Sequence, residues 1–593
     1  MWTTEQKDAI DARKSSLLVA AAAGSGKTAV LVERILSLCR EGASIDRMLI
    51  VTFTNAAAAE MRARILKAFS QAADEGNLAL AKQVALVERA DICTLHKFCM
   101  TVLRAHFQAA DVDPAFRLGD ESAVRPLWEG ALADALDACY ESGEGDFLAL
   151  SSRMNDEEIV QTVESLYAFL LSRSDPWEWL DLAIADCAPD AQALAQSSAT
   201  GVLMEEARAH LAQCERYLGT EKLCAAGFPA YEAGAEQDAS LLHGLKDAAG
   251  IGYEALRQAF LGVSFARLPA GKAAKQMDGE ASADFREARD AFKAVIQKKL
   301  SKLLESSLLE AAADICAMQP ALRGLRTLLK TFHTLFQAAK AERNLLDFND
   351  LEHRALRALA DDAVADALRA HYDAIFVDEY QDSSAIQEAL LARIAQADNL
   401  FFVGDVKQSI YRFRQADPTL FLEKYARFSD RPEAVERRID LNRNFRSRKN
   451  ILEAINLVFS YCMRSDVTEI AYDDSARLYA GLKHPDEDAP VELHLLADGE
   501  EDAEDEEEDA DEAAEDAALE GVEQEASLAC ARIKSLLGTP LWDEKQNAYR
   551  PVTYRDIAIL MRSTQRSAPK VARLLLSQGI PAFCDAGEGY FDM

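Results

Sequence analysis

Nowhere in its 593 residues does this chain run apolar for the ~18 consecutive positions that a bilayer-spanning helix needs. No membrane partner is therefore expected. The opening Met1-Trp2-Thr3-Thr4-Glu5-Gln6 lacks the basic and apolar regions of an export signal. The 11 cysteines never form a Cys-x-x-Cys pair, which suits buried thiols in a reducing cytosol better than disulfides or zinc. No internal repeat is visible. Basic residues are outnumbered, leaving a net charge of −34, but residues 498–525 hold 17 acidic side chains and no basic one. The other 565 residues share the remaining −17, so any polyanion must be met by a local basic groove rather than a global field. The acidic run is expected to be a solvated, disordered loop, with an acidic DNA mimic or a partner tail as the alternative.

Two short segments about 350 residues apart carry most of the chemistry. Ala21-Ala22-Ala23-Gly24-Ser25-Gly26-Lys27-Thr28 follows an apolar run, residues 17–23, and opens into a helical pattern over residues 29–39. Such a loop turns backbone N–H groups toward phosphate oxygens. Gly24 and Gly26 permit the close approach, Lys27 reaches the β- and γ-phosphates, and Thr28 offers a hydroxyl to Mg²⁺. Asp378-Glu379-Tyr380-Gln381-Asp382 follows a second buried run, residues 374–377. There Asp378 can hold the metal, and Glu379 can orient or deprotonate the attacking water. Ala21 replaces the first glycine of the usual pattern, so the first half alone also reads as a Gly-rich turn, and the second alone as a surface charge cluster. Their occurrence together, in this order and each after a strand, points to an ATP site.

Strands expected at residues 17–22, 48–54 and 91–95 alternate with helices, as a doubly wound parallel α/β sheet requires. From about 106 to 345 the chain turns Ala/Leu-rich and helical. Leu322, Leu325, Leu329, Phe332 and Phe336 make an amphipathic stripe facing a core. Strands return at 374–377 and 400–403, so the helical block reads as an insertion. The expected division is 1–105 and 346–438 for one α/β domain, 106–345 for the insertion, and 439–593 for a partial second α/β domain. That last region has strands at 491–496 and 556–561, with the acidic segment 498–525 between them.

Further motifs are Thr52-Phe53-Thr54-Asn55-Ala56-Ala57-Ala58-Ala59-Glu60-Met61, Cys93-Thr94-Leu95-His96-Lys97-Phe98, Val403-Gly404-Asp405-Val406-Lys407-Gln408-Ser409-Ile410-Tyr411-Arg412-Phe413-Arg414 and Leu441-Asn442-Arg443-Asn444-Phe445-Arg446-Ser447. In this order and spacing they resemble the superfamily 1A DNA helicases of the UvrD/Rep type. Leu346-Asp347-Phe348-Asn349-Asp350-Leu351 and the Asp378 and Lys407 segments are worded most like the AddA motor subunits of bacterial AddAB helicase–nucleases. The resemblance implies RecA-like P-loop domains and an ATP- and Mg²⁺-dependent 3′–5′ motor on single-stranded and duplex DNA. It also implies a role in double-strand-break repair and recombination, an AddB-like nuclease–helicase partner, and a bacterial cytoplasmic location.

By the same resemblance Gln6 reads the adenine edge, while Arg34 and Phe445 flank base and sugar. Gln408 senses the γ-phosphate or its attacking water, and Arg446 reaches the γ-phosphate. Phe53, Thr54, Asn55, Thr94, His96 and Phe413 line a single-strand track. Phe53 and Phe413 also fit a core role, and His96 a structural one. The later Gly-Leu-Glu and Thr-Arg-Ala motifs and the nuclease residues are not found. The chain is therefore expected to correspond to the N-terminal half of such a motor, from a split gene, a frameshifted or fragmentary reading frame, or a cut chain. Three functions follow: a helicase motor, an ATP- and single-strand-binding module completed by a separate chain, and a P-loop ATPase unrelated to nucleic acid. The Thr54-Asn55 and Gln408–Arg414 segments speak against the last.

Overall fold

The computed structural model describes residues 2–187, 189–267, 279–464, 468, 470–482, 490–496, 510–543, 546–562 and 567–584. The chain divides into two compact units, Met1–Asp488 and Ala489–Met593.

The first unit is built on a six-stranded sheet of β1 (Ser16–Ala21), β2 (Met48–Thr52), β3 (Asp91–Thr94), β4 (Ala374–Val377), β5 (Leu400–Gly404) and β6 (Glu436–Leu441). Its order is β3-β2-β4-β5-β1-β6, with every pair parallel. Inner strands of such a sheet are covered on both faces, which is why Met48-Leu49-Ile50-Val51-Thr52 is buried throughout. Alternate side chains feed two cores. Leu18, Val51, Ile375, Val377 and Phe402 pack under Phe98, Leu351 and Leu390, whereas Leu17, Val19, Ile50, Phe376 and Phe401 pack under Ile35, Ile65 and Phe69. The helices that place the site are α1 (Thr4–Asp11), α2 (Lys27–Arg40), α3 (Asn55–Asp74) and α4 (Leu95–Ala105).

Residues 436–441 straddle the expected start of a second domain at 439, yet they form the edge strand beside β1. Burial alternates along Glu436-Arg437-Arg438-Ile439-Asp440-Leu441, so the segment lacks the continuous apolar run of its neighbours.

The helical block leaves and rejoins this body at one place, where Arg117–Leu118 and Leu345–Leu346 form a short parallel pair. Two sizeable cores hold it, one around Ile159, Val163 and Leu328, the other around Leu211, Leu256, Phe292 and Ile296. Helix α5 (Leu308–Glu342) buries Leu325, Leu329, Phe332 and Phe336 of the expected stripe, adds Leu328, and leaves Leu322 half-buried. Helix α6 (Phe348–Ala358) follows and returns the chain to the sheet.

In the second unit, α7 (Ala510–Leu536) packs on helix Ala568–Ser577 through Ala526, Cys530, Ile533, Val571 and Leu575. Its strands, Pro540–Asp543 and Ala548–Pro551, make an antiparallel hairpin. Residues 491–496 and 557–561, expected as strands, are not paired with any strand among the described residues, and 554–556 form a 3-10 turn. A strand needs a neighbour for its backbone groups, and sequence pattern cannot supply one. Of the acidic segment, residues 498–509 lie outside the described residues, and 510–525 are helical rather than a disordered loop. Alanine and glutamate, which dominate there, are strong helix formers.

Candidate nucleotide and nucleic-acid site

The phosphate loop leaves the C-terminal end of β1, and the inner strand β4 delivers Asp378–Asp382 at the same end of the sheet. Gly24 and Gly26 adopt positive φ, +67° and +85°, and Gly26 caps the N-terminus of α2. Lys27 and Thr28 thus stand in the first helical turn, where unpaired N–H groups and the helix dipole favour an anion. A Cβ at Gly24 would lie 2.6 Å from Asn444 Nδ2 and 2.8 Å from Arg446 Cβ, so a second segment presses on the loop. Asn444 Nδ2 donates to the Ala23 carbonyl at 2.6 Å, and the Phe445 N–H donates to that of Gly24 at 2.8 Å. The Asn444 carboxamide oxygen accepts from the N–H groups of Arg446 and Ser447. Those bonds fix the start of the Arg446 side chain above the loop. Ala21 and Ala22 are buried in the wall beneath it.

Lys27 Nζ lies 2.7 Å from Glu379 Oε2. Glu379 holds a left-handed φ of +54°, uncommon for a side-chain-bearing residue, and its N–H donates to Asp378 Oδ1 at 3.2 Å. Burial, reinforced by the Glu379 carboxylate and opposed by Lys27, pushes the Asp378 carboxyl up to about 6. Asp382 rises to about 6 from the same two causes. A buried carboxylate and a hydroxyl are hard oxygen donors, and Asp378 carries a cost of ionisation that a divalent cation would relieve. The residues therefore fit Mg²⁺, with Thr28 and Asp378 to hold it. Ser25 Oγ is buried in the same loop without a hydrogen-bond partner.

Beside the loop opens a cavity of about 500 Å³ lined by Thr3, Gln6, Ser25, Asn442, Phe445 and Tyr479. Gln6 is anchored by its own amide. Its Nε2 donates to the Ser25 carbonyl at 2.8 Å, and its Oε1 accepts from the Thr3 N–H at 2.9 Å. Arg34 does not reach this cavity, against expectation. It is buried behind α1, donating to the carbonyls of Ala9 and Ala12 at 2.8 and 2.7 Å, with its guanidinium 5.0 Å from the Phe401 ring centroid. Desolvation lowers its pKa to about 9. Its place is to complete the C-terminal turn of the helix that carries Gln6.

Gln408 Nε2 donates to Asp405 Oδ2 at 2.8 Å, and Lys407 Nζ lies 2.8 Å from Asp405 Oδ1. The chain then turns outward. Phe413 is 73% exposed, which excludes a core role. Its ring lies 5.8 Å from Tyr411, whose ring lies 4.7 Å from half-buried Phe53. Thr54 caps α3 by accepting from the Ala57 N–H, and Asn55 is exposed at that terminus. His96 packs edge-on to Phe348 at 4.9 Å and sits 3.3 Å from Glu352. Thr94 is different: buried at 9% exposure, its hydroxyl accepts from the Lys97 N–H and caps α4. Phe53, Tyr411 and Phe413 thus form a row of neighbouring rings that ends at the surface.

The family model described as the UvrD/REP helicase N-terminal domain matches residues 2–429. The chain belongs to that family. The UvrD/REP match spans the phosphate loop, the Asp378–Asp382 stretch and the aromatic ladder, and stops short of β6, Phe445 and Arg446. Among curated proteins the chain is 39% identical to one from Alkaliphilus oremlandii that is named as a subunit of an ATP-dependent helicase/nuclease, with all of this chain and 50% of that protein aligned. It is 36% identical to the protein of the same name from Geobacillus thermodenitrificans and 34% to that from Staphylococcus aureus, with all of this chain and 49% of each relative aligned. The chain thus spans about half the length of these relatives. Membership of a UvrD/REP helicase family carries ATP use with it. Sequence reasoning missed Tyr411, Gln381 and Asp405 in this site. Tyr411 was detectable, two residues from Phe413, but the buried pair shows only in three dimensions.

Proposed function

We propose that this chain is the ATP- and single-strand-binding part of a 3′–5′ DNA helicase motor, AddA-like, acting with Mg²⁺ in bacterial cytoplasmic double-strand-break repair and recombination. The observation that carries it is the meeting of Lys27, Asp378 and Glu379 at the end of one sheet, connected through the Gln408 segment to Tyr411 and exposed Phe413. In this reading Lys27 steadies the β- and γ-phosphates, Glu379 takes the proton of the attacking water, and Gln408 senses the γ-phosphate. Arg446 approaches it from the far wall. Mg²⁺, when bound, neutralises charge on the phosphate oxygens. Bases stack on Phe53, Tyr411 and Phe413 with Thr54, Asn55 and His96 alongside, a sequence-blind mode contributing ~1–3 kcal/mol per base. The relatives' names describe one component of a larger enzyme, which supports an AddB-like partner.

A second reading is a binding module that turns over only when a separate chain completes it, and the relatives' names, each of one subunit, favour it. One experiment separates them: ATPase of the 593-residue chain with and without oligothymidylate, alongside strand separation of a 3′-tailed duplex. DNA-stimulated turnover with unwinding supports the motor. Binding of both ligands without unwinding supports the module, and no response to DNA overturns both.

A further inference from the structure

Gln381 is 2% exposed and spans the gap between the hydrolytic carboxylate and the segment that bears the aromatic ladder. Its Nε2 donates to Glu379 Oε2 at 2.9 Å, the oxygen that also meets Lys27, and lies 3.3 Å from Asp382 Oδ2. Its Oε1 accepts from the Asp405 N–H at 2.9 Å. The amide's sense is forced. A carboxylate can only accept and a backbone N–H can only donate, so the NH₂ must face Glu379 and the oxygen must face Asp405. The backbone supports the same join, since Ser409 Oγ donates to the Gln381 carbonyl at 3.3 Å and the Asp417 N–H to that of Ser383 at 2.9 Å. Gly404 makes the seat possible: a Cβ there would fall 2.3 Å from Gln381 Oε1.

Asp405, 3% exposed, then divides its carboxylate between Lys407 and Gln408, three residues before Tyr411. A continuous chain of bonds therefore runs Lys27, Glu379, Gln381, Asp405, Gln408. A phosphate arriving at Lys27 competes with Glu379 for the ammonium. Any movement of Glu379 is then passed by Gln381 to the Asp405 backbone, because the amide bonds both.

Resting on the motor reading above, we propose that Gln381 is a positioning residue that couples nucleotide occupancy to the grip of the 405–414 segment on single-stranded DNA. Coupling of this kind is a difference in DNA affinity between nucleotide states, and typical values are ~5–150-fold. The bonded chain is the physical link that both ligands bias.

The test is the affinity of the full 593-residue chain for fluorescent oligothymidylate, with and without a non-hydrolysable ATP analogue and Mg²⁺, in wild type, Gln381→Ala and Gln381→Glu. The glutamate keeps the shape but sets a carboxylate against Glu379. Expected is a nucleotide-dependent change in wild type that collapses toward onefold in both variants. DNA affinity without nucleotide should stay within about threefold of wild type, and both variants should still bind the analogue. Gly404→Ala, which displaces the amide from the other side, should reproduce the loss. A wild-type ratio retained in Gln381→Ala or Gln381→Glu would overturn the inference while leaving the motor reading intact. Failure of both to fold would make Gln381 structural, and likewise overturn it. Absence of any nucleotide effect in wild type would remove the motor reading itself.

Discussion

Lys27 and Glu379 hold each other across 352 residues of sequence, Nζ to Oε2 at 2.7 Å, so the proposed phosphate-binding lysine is paired with the proposed catalytic carboxylate. An incoming γ-phosphate exchanges one anion for another at the same ammonium. Glu379 would then turn toward water with Gln381 still bonded to its Oε2.

Lys27→Ala should lower ATP turnover by several orders of magnitude, because no other cation in the loop replaces its charge at the transferring phosphate. Oligothymidylate binding without nucleotide should persist, as Lys27 is not one of the groups on which bases would stack. ATPase and fluorescence anisotropy on the same preparation read both quantities. Hydrolysis at the wild-type rate would show that the loop does not bind the triphosphate.

Glu379→Gln should retain nucleotide binding and lose turnover, since Thr28 and Asp378 are untouched while the water loses its base. The variant also replaces a charged partner of Lys27 with a neutral one, so analogue affinity should rise slightly rather than fall. A drop in affinity as large as that of Lys27→Ala would make Glu379 a structural residue.

The Asp378 carboxyl gives a pH signature. Its folded pKa of about 6 exceeds the usual aspartate value because of burial and Glu379. The folded protein therefore holds that proton more tightly than the unfolded chain does. Stability from this group is present at low pH and is lost as pH rises through about 6, a span of roughly 2–3 kcal/mol. Asp378→Asn should raise Tm at pH 8 and leave it nearly unchanged at pH 4, while abolishing Mg²⁺-dependent turnover. Equal Tm shifts at both pH values would contradict the assignment.

Phe413→Ala tests the ladder. With 73% of the residue exposed, its removal should leave Tm within about 1 °C and weaken oligothymidylate binding by ~1–3 kcal/mol with little base preference. Unchanged DNA affinity would remove Phe413 from the track. Tyr411 is held between Phe53 and Phe413, so Tyr411→Ala should cost at least as much.

Much of the sheet was legible because strands buried on both faces must be apolar runs. The expected 48–54 and 91–95 overshoot β2 and β3 only where Phe53 and Thr54 lead into α3 and Leu95 begins α4. Strand β6 was missed because an edge strand with Arg437 and Arg438 in it looks like a polar linker. The positions of the loop and of Asp378 and Glu379 could be read from local spacing, since each lies at its own strand end. Arg34, Gln381 and Asp405 could not. They are polar residues buried by the fold, and the contacts that decide their place, Arg34 to Ala9 and Ala12 and Gln381 to Asp405, span 22 to 25 positions of sequence. Nothing local distinguishes a buried arginine that ties down a helix from one that faces a nucleotide.

Arg34 therefore supplies the sharpest contrast between a contact and a support. Its guanidinium bonds the carbonyls of Ala9 and Ala12, and α1 carries Gln6 into the cavity wall. Arg34→Ala strips charge-assisted bonds from buried carbonyls and opens space against Phe401. The loss should be on the order of 3 kcal/mol, since each such bond contributes ~1.5–3 kcal/mol. Tm should fall by several degrees, and analogue affinity should fall modestly through displacement of Gln6. Gln6→Ala, by contrast, should weaken ATP binding while costing less stability, and any preference for ATP over GTP should shrink. A direct contact would behave differently: Arg34→Ala would lose nucleotide affinity with Tm unchanged. Melting curves and analogue titrations of these two variants decide between the helix-tying role and the base-flanking one.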